Sequence, residues 1–502
     1  MKKILYFMLS ICFLSSCDSY LDVNEDPNYP KDVPNYLLIP SAENFISAKM
    51  GESIFNFGGF FAQYWDQAVE ANQYNEIAEY NIQQAFFNYN YRDLYAGALA
   101  DLQVVQKQAV EEENWADNLV ATVLKAYTYQ ILVDMMDQAP YTEALQGKAN
   151  PTPAWDEGAD IYKSLLTEID SALYKIQHPK APLLTSQLTI SSDMLLQANL
   201  SKWIVFAKAL KLKLYMRSSN VQDNKDEIMA LVNDTTLTLS DDIKMDVYTD
   251  SNAVEKRNPW FECNWSNNEE GLGTKNNIAS YPIISYLKIT ADPRISSLFK
   301  LAPNSSTYEG SIPGSKTQSA ADNMKNGDFS YPVMTATTPV YFYTVSELDF
   351  FIAEAQLRFG TDAAAKTAYE AAIKANFDLH GVSGDSAFIA SSPIKWGNAG
   401  TTEAKIRLIG MQKWVALCMV NHGEAWTEAR RLDYPALSSY TGKQVYDDQT
   451  LYTAGDLISP YVNYLGDGVI VKRVPFPETA VIMNKNTPQQ KGVSTRVWWD
   501  NK

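Results

Sequence analysis

The residue whose surroundings most plainly invite covalent chemistry is Cys17. The chain opens Met1-Lys2-Lys3 and runs apolar from Ile4 to Leu14 with only Ser10 polar, and Leu14-Ser15-Ser16 then leads into Cys17. Two lysines, a short apolar run and small residues before a cut are the marks of a secretory leader. The run is too short to span a bilayer, which takes about 20 apolar residues. A thiol placed there can carry a diacylglycerol, and cleavage ahead of it frees an amine for further acylation. Several acyl chains, at about 0.8 kcal/mol per buried CH2, make a lasting anchor. The expectation is a signal peptide at 1–16, lipidation at Cys17 and a tether over 17–35. An ordinary leader with an incidental cysteine is the competing reading. The polar, acidic sequence from Asp18 argues against it.

Other reaction chemistry leaves little trace. The chain has no G-x-S-x-G elbow, H-E-x-x-H pair, phosphate-binding Gly-rich loop, C-x-x-C pair or EF-hand loop. Its three histidines, His178, His380 and His422, are not at metal-ligand spacing and read as surface or packed residues. No metal and no cofactor are expected. The 59 Asp and Glu residues offer many carboxylate pairs, so glycoside hydrolysis stays open as an alternative.

Recognition chemistry is better represented. Trp260, Phe261 and Trp265 lie in a stretch with no long helical period, among Asn264, Asn267 and Asn276. A second group is Tyr64-Trp65 with Gln67, Asn72 and Tyr74. Flat rings stack on sugar rings or peptide side chains, and amides hydrogen-bond to hydroxyls or peptide groups. The expected ligand-binding residues are Trp260, Phe261, Trp265, Asn264, Asn276, Trp65 and Tyr74. For each, packing on the core is the alternative, favoured slightly for Trp65 and evenly balanced for Trp260 and Trp265.

Something must position these groups, and periodicity points to helices. Apolar residues follow i, i+3, i+4, i+7 spacing at Tyr91–Val105, Val120–Ile131, Trp203–Leu214 and Leu348–Phe359. The run from about Glu403 to Val420 is apolar on nearly every side and predicts a buried helix, and Ile161–Ile176 is a further one. The pattern predicts a mainly α protein of TPR-like helix pairs, without a clean 34-residue repeat. The scaffold would cover about 36–243 and 340–433. Loop-rich inserts at about 244–339 and 434–502 would form a binding face. A formal charge of −17, or −19 once Lys2 and Lys3 leave, excludes nucleic acid as a natural partner. Beyond the leader no segment is long and apolar enough to span a membrane. Cys263 and Cys418 could pair after export, although Cys418 sits in an apolar helical run that suits a buried thiol.

Several segments, in order, resemble the SusD/RagB family of outer-membrane nutrient-binding lipoproteins of Bacteroidota. Tyr20-Leu21-Asp22-Val23-Asn24 and Asp26-Pro27 resemble its mature start. Asp134–Ala144 resembles its D-x-x-G-D-x-P-Y-x-E-A stretch, with Met136 where the glycine stands. Pro153-Ala154-Trp155-Asp156, Ile161-Tyr162, Trp203–Arg217, Asp292-Pro293-Arg294 and Glu347–Ala355 follow. Gln412-Lys413-Trp414, Glu424-Ala425-Trp426 and Arg430–Pro435 match the late signature, and Arg473–Glu478 and Arg496–Asp500 the ending. Each motif is weak alone, and the ordered set is specific. Most of these residues read as scaffold: Glu354 and Arg430 as ion pairs or caps, Trp414 and Trp426 as core.

The resemblance implies a lid over the mouth of a TonB-dependent (SusC-like) transporter, binding a nutrient and passing it to the barrel. It implies a lipid anchor in the outer membrane facing the exterior, where acidic residues such as Asp18 accompany export. Aromatics with amides favour a glycan over a peptide as the ligand. A lipid-anchored glycan-degrading enzyme and a helical protein-binding scaffold are the alternatives.

Overall fold

The computed structural model describes residues 33–251, 256–265 and 275–501. The expected signal peptide, Cys17, the expected tether up to residue 32 and Asn267 lie outside the described residues.

The principal helices, in chain order, are α1 (Asn35–Gly51), α2 (Ser53–Phe61), α3 (Ala100–Glu111), α4 (Trp115–Met136), α5 (Gly158–Gln177), α6 (Leu200–Ser218), α7 (Pro259–Asn264), α8 (Val345–Phe359), α9 (Asp362–His380), α10 (Thr402–Leu417) and α11 (His422–Leu432). Many begin where a short polar side chain accepts from an otherwise unpaired N–H of the first turn. Asn199 caps α6, Thr344 α8, Thr361 α9, Thr401 α10 and Asn421 α11. α3 packs on α4, α4 on α5 and α6, α8 on α9 and α10, and α11 on α10 and α2. The fold is mainly α, built of packed helix pairs with irregular loops between them, as the periodicity predicts.

Three details depart from the sequence reading. The run from Tyr91 is not one α-helix, because Asp93–Leu99 is a π-helical segment leading into α3. The helix expected to reach Val420 stops at Leu417, and Cys418 turns to extended backbone. α1 and α9 carry no clear periodic signal. Pro40 lies inside α1, while the buried face of α9 mixes alanines at 365, 368 and 372 with Tyr369, Ile373 and Phe377, and the small residues dilute its contrast with the polar face.

The core contains a buried ionic network as well as apolar side chains. Lys213 and Arg217 of α6, Glu347 and Glu354 of α8, Lys413 of α10, and Glu424, Glu428 and Arg431 of α11 meet without solvent. Glu428 pairs with Lys413 at 2.7 Å, Arg217 at 2.9 Å and Arg431 at 2.7 Å. Glu354 accepts from Arg431 at 2.8 Å. Among the described residues Arg430 makes no such carboxylate pair: it donates to the carbonyls of Asp134 at the end of α4 and Lys472, with its guanidinium over Trp426. Trp414 and Trp426 are core, and Cys263 and Cys418 are both free thiols.

Strands are short: β1 (Trp65–Gln67), β2 (Ile243–Met245), β3 (Asn277–Ala279), β4 (Phe299–Lys300), β5 (Tyr331–Pro332) and β6 (Val340–Tyr343). β1 pairs antiparallel with β3, β2 with β6, and β4 with β5. No helix among the described residues is long and apolar enough to cross a membrane.

Candidate functional site

The two aromatic segments found in the sequence meet in space. The register Trp65↔Ala279, Asp66↔Ile278, Gln67↔Asn277 joins the segment at 64–74 to the end of the 258–276 segment. Gln67 reinforces the join: its Oε1 accepts from Tyr74 N–H at 2.6 Å and its Nε2 donates to the Asn276 carbonyl at 3.1 Å. Asn56 of α2 ties both sides. Its Oδ1 accepts from Trp260 Nε1 at 3.2 Å and Asn277 Nδ2 at 3.1 Å, and its carbonyl accepts from Trp65 Nε1 at 3.1 Å.

Within this junction the predicted residues divide by accessibility. Trp65 and Trp260 are 1% and 0% exposed and stack on each other, centroids 5.1 Å apart at 19°. Their faces are used up by the core. The stretch around Trp260 folds into the six-residue helix α7, started by Asn258 and Pro259, and this turns the ring inward. Asn264 is buried as well, with its amide donating to the Trp260 carbonyl and its oxygen accepting from Asn276. Phe261, Trp265, Tyr74 and Asn276 remain partly exposed. Trp265 is the least buried of the three indoles, although it packs against the core: Trp260 lies at 6.3 Å, Tyr331 stands edge-on at 5.9 Å, and its buried Nε1 has no acceptor among the described residues.

Three neighbours escaped the sequence reading. Tyr331 of β5 lies opposite Lys300 of β4 in register, and β5 is held beside β3 by Ala279 N–H donating to the Ser330 carbonyl at 2.8 Å. Lys275 Nζ stands 4.1 Å from the Tyr331 ring centre and 4.6 Å from that of Trp265, and Lys300 Nζ 5.7 Å from Trp265. Nothing in spacing links 265, 275, 300 and 331. Strand pairing alone brings them together. Burial, then the like charge of Lys300, pushes the Lys275 ammonium below its usual range.

Beneath this corner Ala68, Val69, Ile278 and Phe329 form a small apolar cluster of their own. Phe329 and Met324 continue from it into a groove of about 310 Å³ that is also lined by Glu309, Asp328, Tyr446 and Gln449. Asp66 lies buried in β1, its carboxyl pushed up to about 6 by burial, although Ser311 Oγ and the N–H groups of Gly314 and Gln67 donate to it. A larger cleft of about 630 Å³ lies between the start of α6 and residues 238–247. No aromatic ring lines it, and its charges are matched in pairs such as Lys202–Asp241 and Lys244–Asp246. His422 is a packed residue: Nε2 accepts from Met419 N–H, Nδ1 donates to the Phe55 carbonyl, and Phe55 stacks on its ring. Among the described residues no group of three or more His, Cys, Asp or Glu is placed to hold a metal ion.

A rigid helical scaffold presenting an aromatic corner and a groove on its loop-rich side is the architecture of a binding protein. Comparison gives the particular family. The model of SusD-like proteins described as "Starch-binding associating with outer membrane" matches residues 27–452, and the chain belongs to that family of outer-membrane-associated nutrient-binding proteins. Solved structures agree on the fold. A SusD homologue from Bacteroides uniformis is 21% identical with a TM-score of 0.71, covering 93% of this chain and 100% of that one. One from Bacteroides thetaiotaomicron is 21% identical with a TM-score of 0.71, covering 94% and 100%. A chitin-binding SusD homologue from Flavobacterium johnsoniae is 22% identical with a TM-score of 0.69, covering 93% and 96%. No curated protein matches the sequence.

Proposed function

We propose that this chain is a lipid-anchored, outward-facing protein that captures a glycan at the Trp265 corner and passes it to a TonB-dependent transporter. The observation that carries the reading is the convergence of β1, β3 and β5 on one partly open indole, with a groove continuing beside it. A sugar ring stacks on such a face, and the Lys275 and Lys300 ammonium groups beside the indole can donate to its hydroxyls. The buried Trp65–Trp260 pair supports the corner from behind and fixes where Trp265 sits. The chitin-binding relative favours a glycan as the ligand class. A micromolar affinity, about −8 kcal/mol at 1 μM, suits capture followed by release.

Titration calorimetry of the purified chain against glycan and peptide panels tests this. The expected result is binding of at least one glycan class, weakened about tenfold or more by Trp265→Ala, since one base or ring stacked on an aromatic contributes about 1–3 kcal/mol. Unchanged binding in Trp265→Ala would move the site elsewhere. Co-purification of a TonB-dependent transporter with the lipidated protein tests the partner.

A further inference from the structure

We infer that the ligand of the Trp265 corner is an acidic glycan, whose uronate carboxylates or sulfate esters sit between Lys275 and Lys300. The inference rests on the reading that this corner is the ligand site.

Two ammonium groups converge there on one indole, at 4.6 and 5.7 Å from its centre. The backbone imposes their proximity. Lys300 is locked opposite Tyr331 by the β4–β5 register, and Lys275 is two residues from the β1–β3 pair. Among the described residues no carboxylate lies within ion-pair distance of either one. Elsewhere on this acidic chain lysines pair readily, as in Lys125–Glu168, Lys208–Asp234 and Lys405–Asp362. Like charges held together beside an apolar cluster raise each other's energy, and an anion between them removes that repulsion. The faces of Trp265 and Tyr331 supply a weak attraction that holds the cations in place.

The corner favours a sugar over an acidic peptide as the carrier of that charge. β3 is bonded to β1 on one side and, through Ala279 N–H, to Ser330 on the other. β3 thus offers an extended peptide no edge to join, and the outer edges of β1 and β4 are only three and two residues long. A uronate or sulfated ring needs none, because it presents a stacking face and a fixed anion in one rigid unit.

The test is calorimetry of the full-length lipoprotein in neutral detergent. The probes are oligogalacturonate, chondroitin sulfate oligosaccharide, a neutral chito-oligosaccharide and polyglutamate. The proteins are the parent, Lys275→Gln, Lys300→Gln, Lys275→Arg and Trp265→Ala. The expected result is that an acidic glycan binds at least tenfold more tightly than the neutral one. Each Lys→Gln weakens it about tenfold, Lys275→Arg retains it, and added salt weakens it. Equal affinity for neutral and acidic glycans, unmoved by either Lys→Gln change, overturns the charge inference and leaves the glycan site standing. Preference for polyglutamate overturns the glycan as carrier. If Trp265→Ala changes binding of no probe, the site itself falls.

Discussion

Two buried carboxyls respond to pH in opposite directions. Burial raises Asp66 to about 6 from an ordinary 3.8. As pH rises between those values, the unfolded chain releases a proton that the folded chain keeps, so stability falls through that window and then levels. Asp66→Asn removes this slope, and its melting temperature relative to the parent is expected to climb from about pH 4 to 6 and then hold constant. Burial would also raise Glu354, but Arg431 and Arg358 outweigh it and hold the carboxyl at about 2. Its contribution is present above about pH 4.5 and fades as acid approaches 2. Arg431→Met would leave buried Glu354 with only the partly exposed Arg358, and Glu428 with Lys413 and Arg217 but one cation fewer. Denaturant titration is expected to show a loss of about 3–5 kcal/mol. At this scale the sequence was a partial guide. It could name Trp65 and Trp260 as aromatic, but the pairing of β1 with β3 and the short helix α7, which turns Trp260 inward, set their burial, and no local spacing encodes either. Trp265, five residues past Trp260, keeps its accessibility because α7 ends at Asn264.

Among elements, the closest approach near the site is α2 against α11. A Cβ at Gly58 would run into the backbone of His422 and Gly423, and one at Gly59 into the Trp65 indole. Gly58→Ala is therefore expected to cost about 1–3 kcal/mol by forcing the two helices apart, read as a lowered denaturation midpoint. Gly59→Ala should push Trp65 against Trp260 and shift the support behind Trp265. Long amphipathic helices such as α5 and α8 were readable because a wide apolar stripe repeats at helical spacing. α9 was not singled out, because alanines at 365, 368 and 372 dilute the stripe that Tyr369, Ile373 and Phe377 form. Tyr91–Val105 kept its apolar spacing across a π-helical segment that changes the turn without changing composition. The two- and three-residue strands lay below any periodic signal, and these are the elements that assemble the site.

Across the whole molecule, the order of motifs from Tyr20 to Asp500 carried the family, since an ordered set tests the entire chain while each piece tests only a few residues. The described chain starts at Val33, whose carbonyl accepts from Gln108 of α3. Cys17→Ala is expected to leave glycan binding unchanged and to abolish surface attachment. Protease-shaving or antibody labelling of intact cells checks this, and attachment that survived the substitution would contradict the anchor.

The stacked Trp65 and Trp260 also give the protein an optical signature. Two indoles held nearly parallel in a rigid core couple their electronic transitions, so the folded chain should show an exciton couplet in circular dichroism that vanishes on unfolding. Trp265, beside them but partly in solvent, should report ligand through its emission while the couplet stays fixed. One sample would then read occupancy and integrity in separate channels, and a Trp65→Phe chain would lose the second without losing the first.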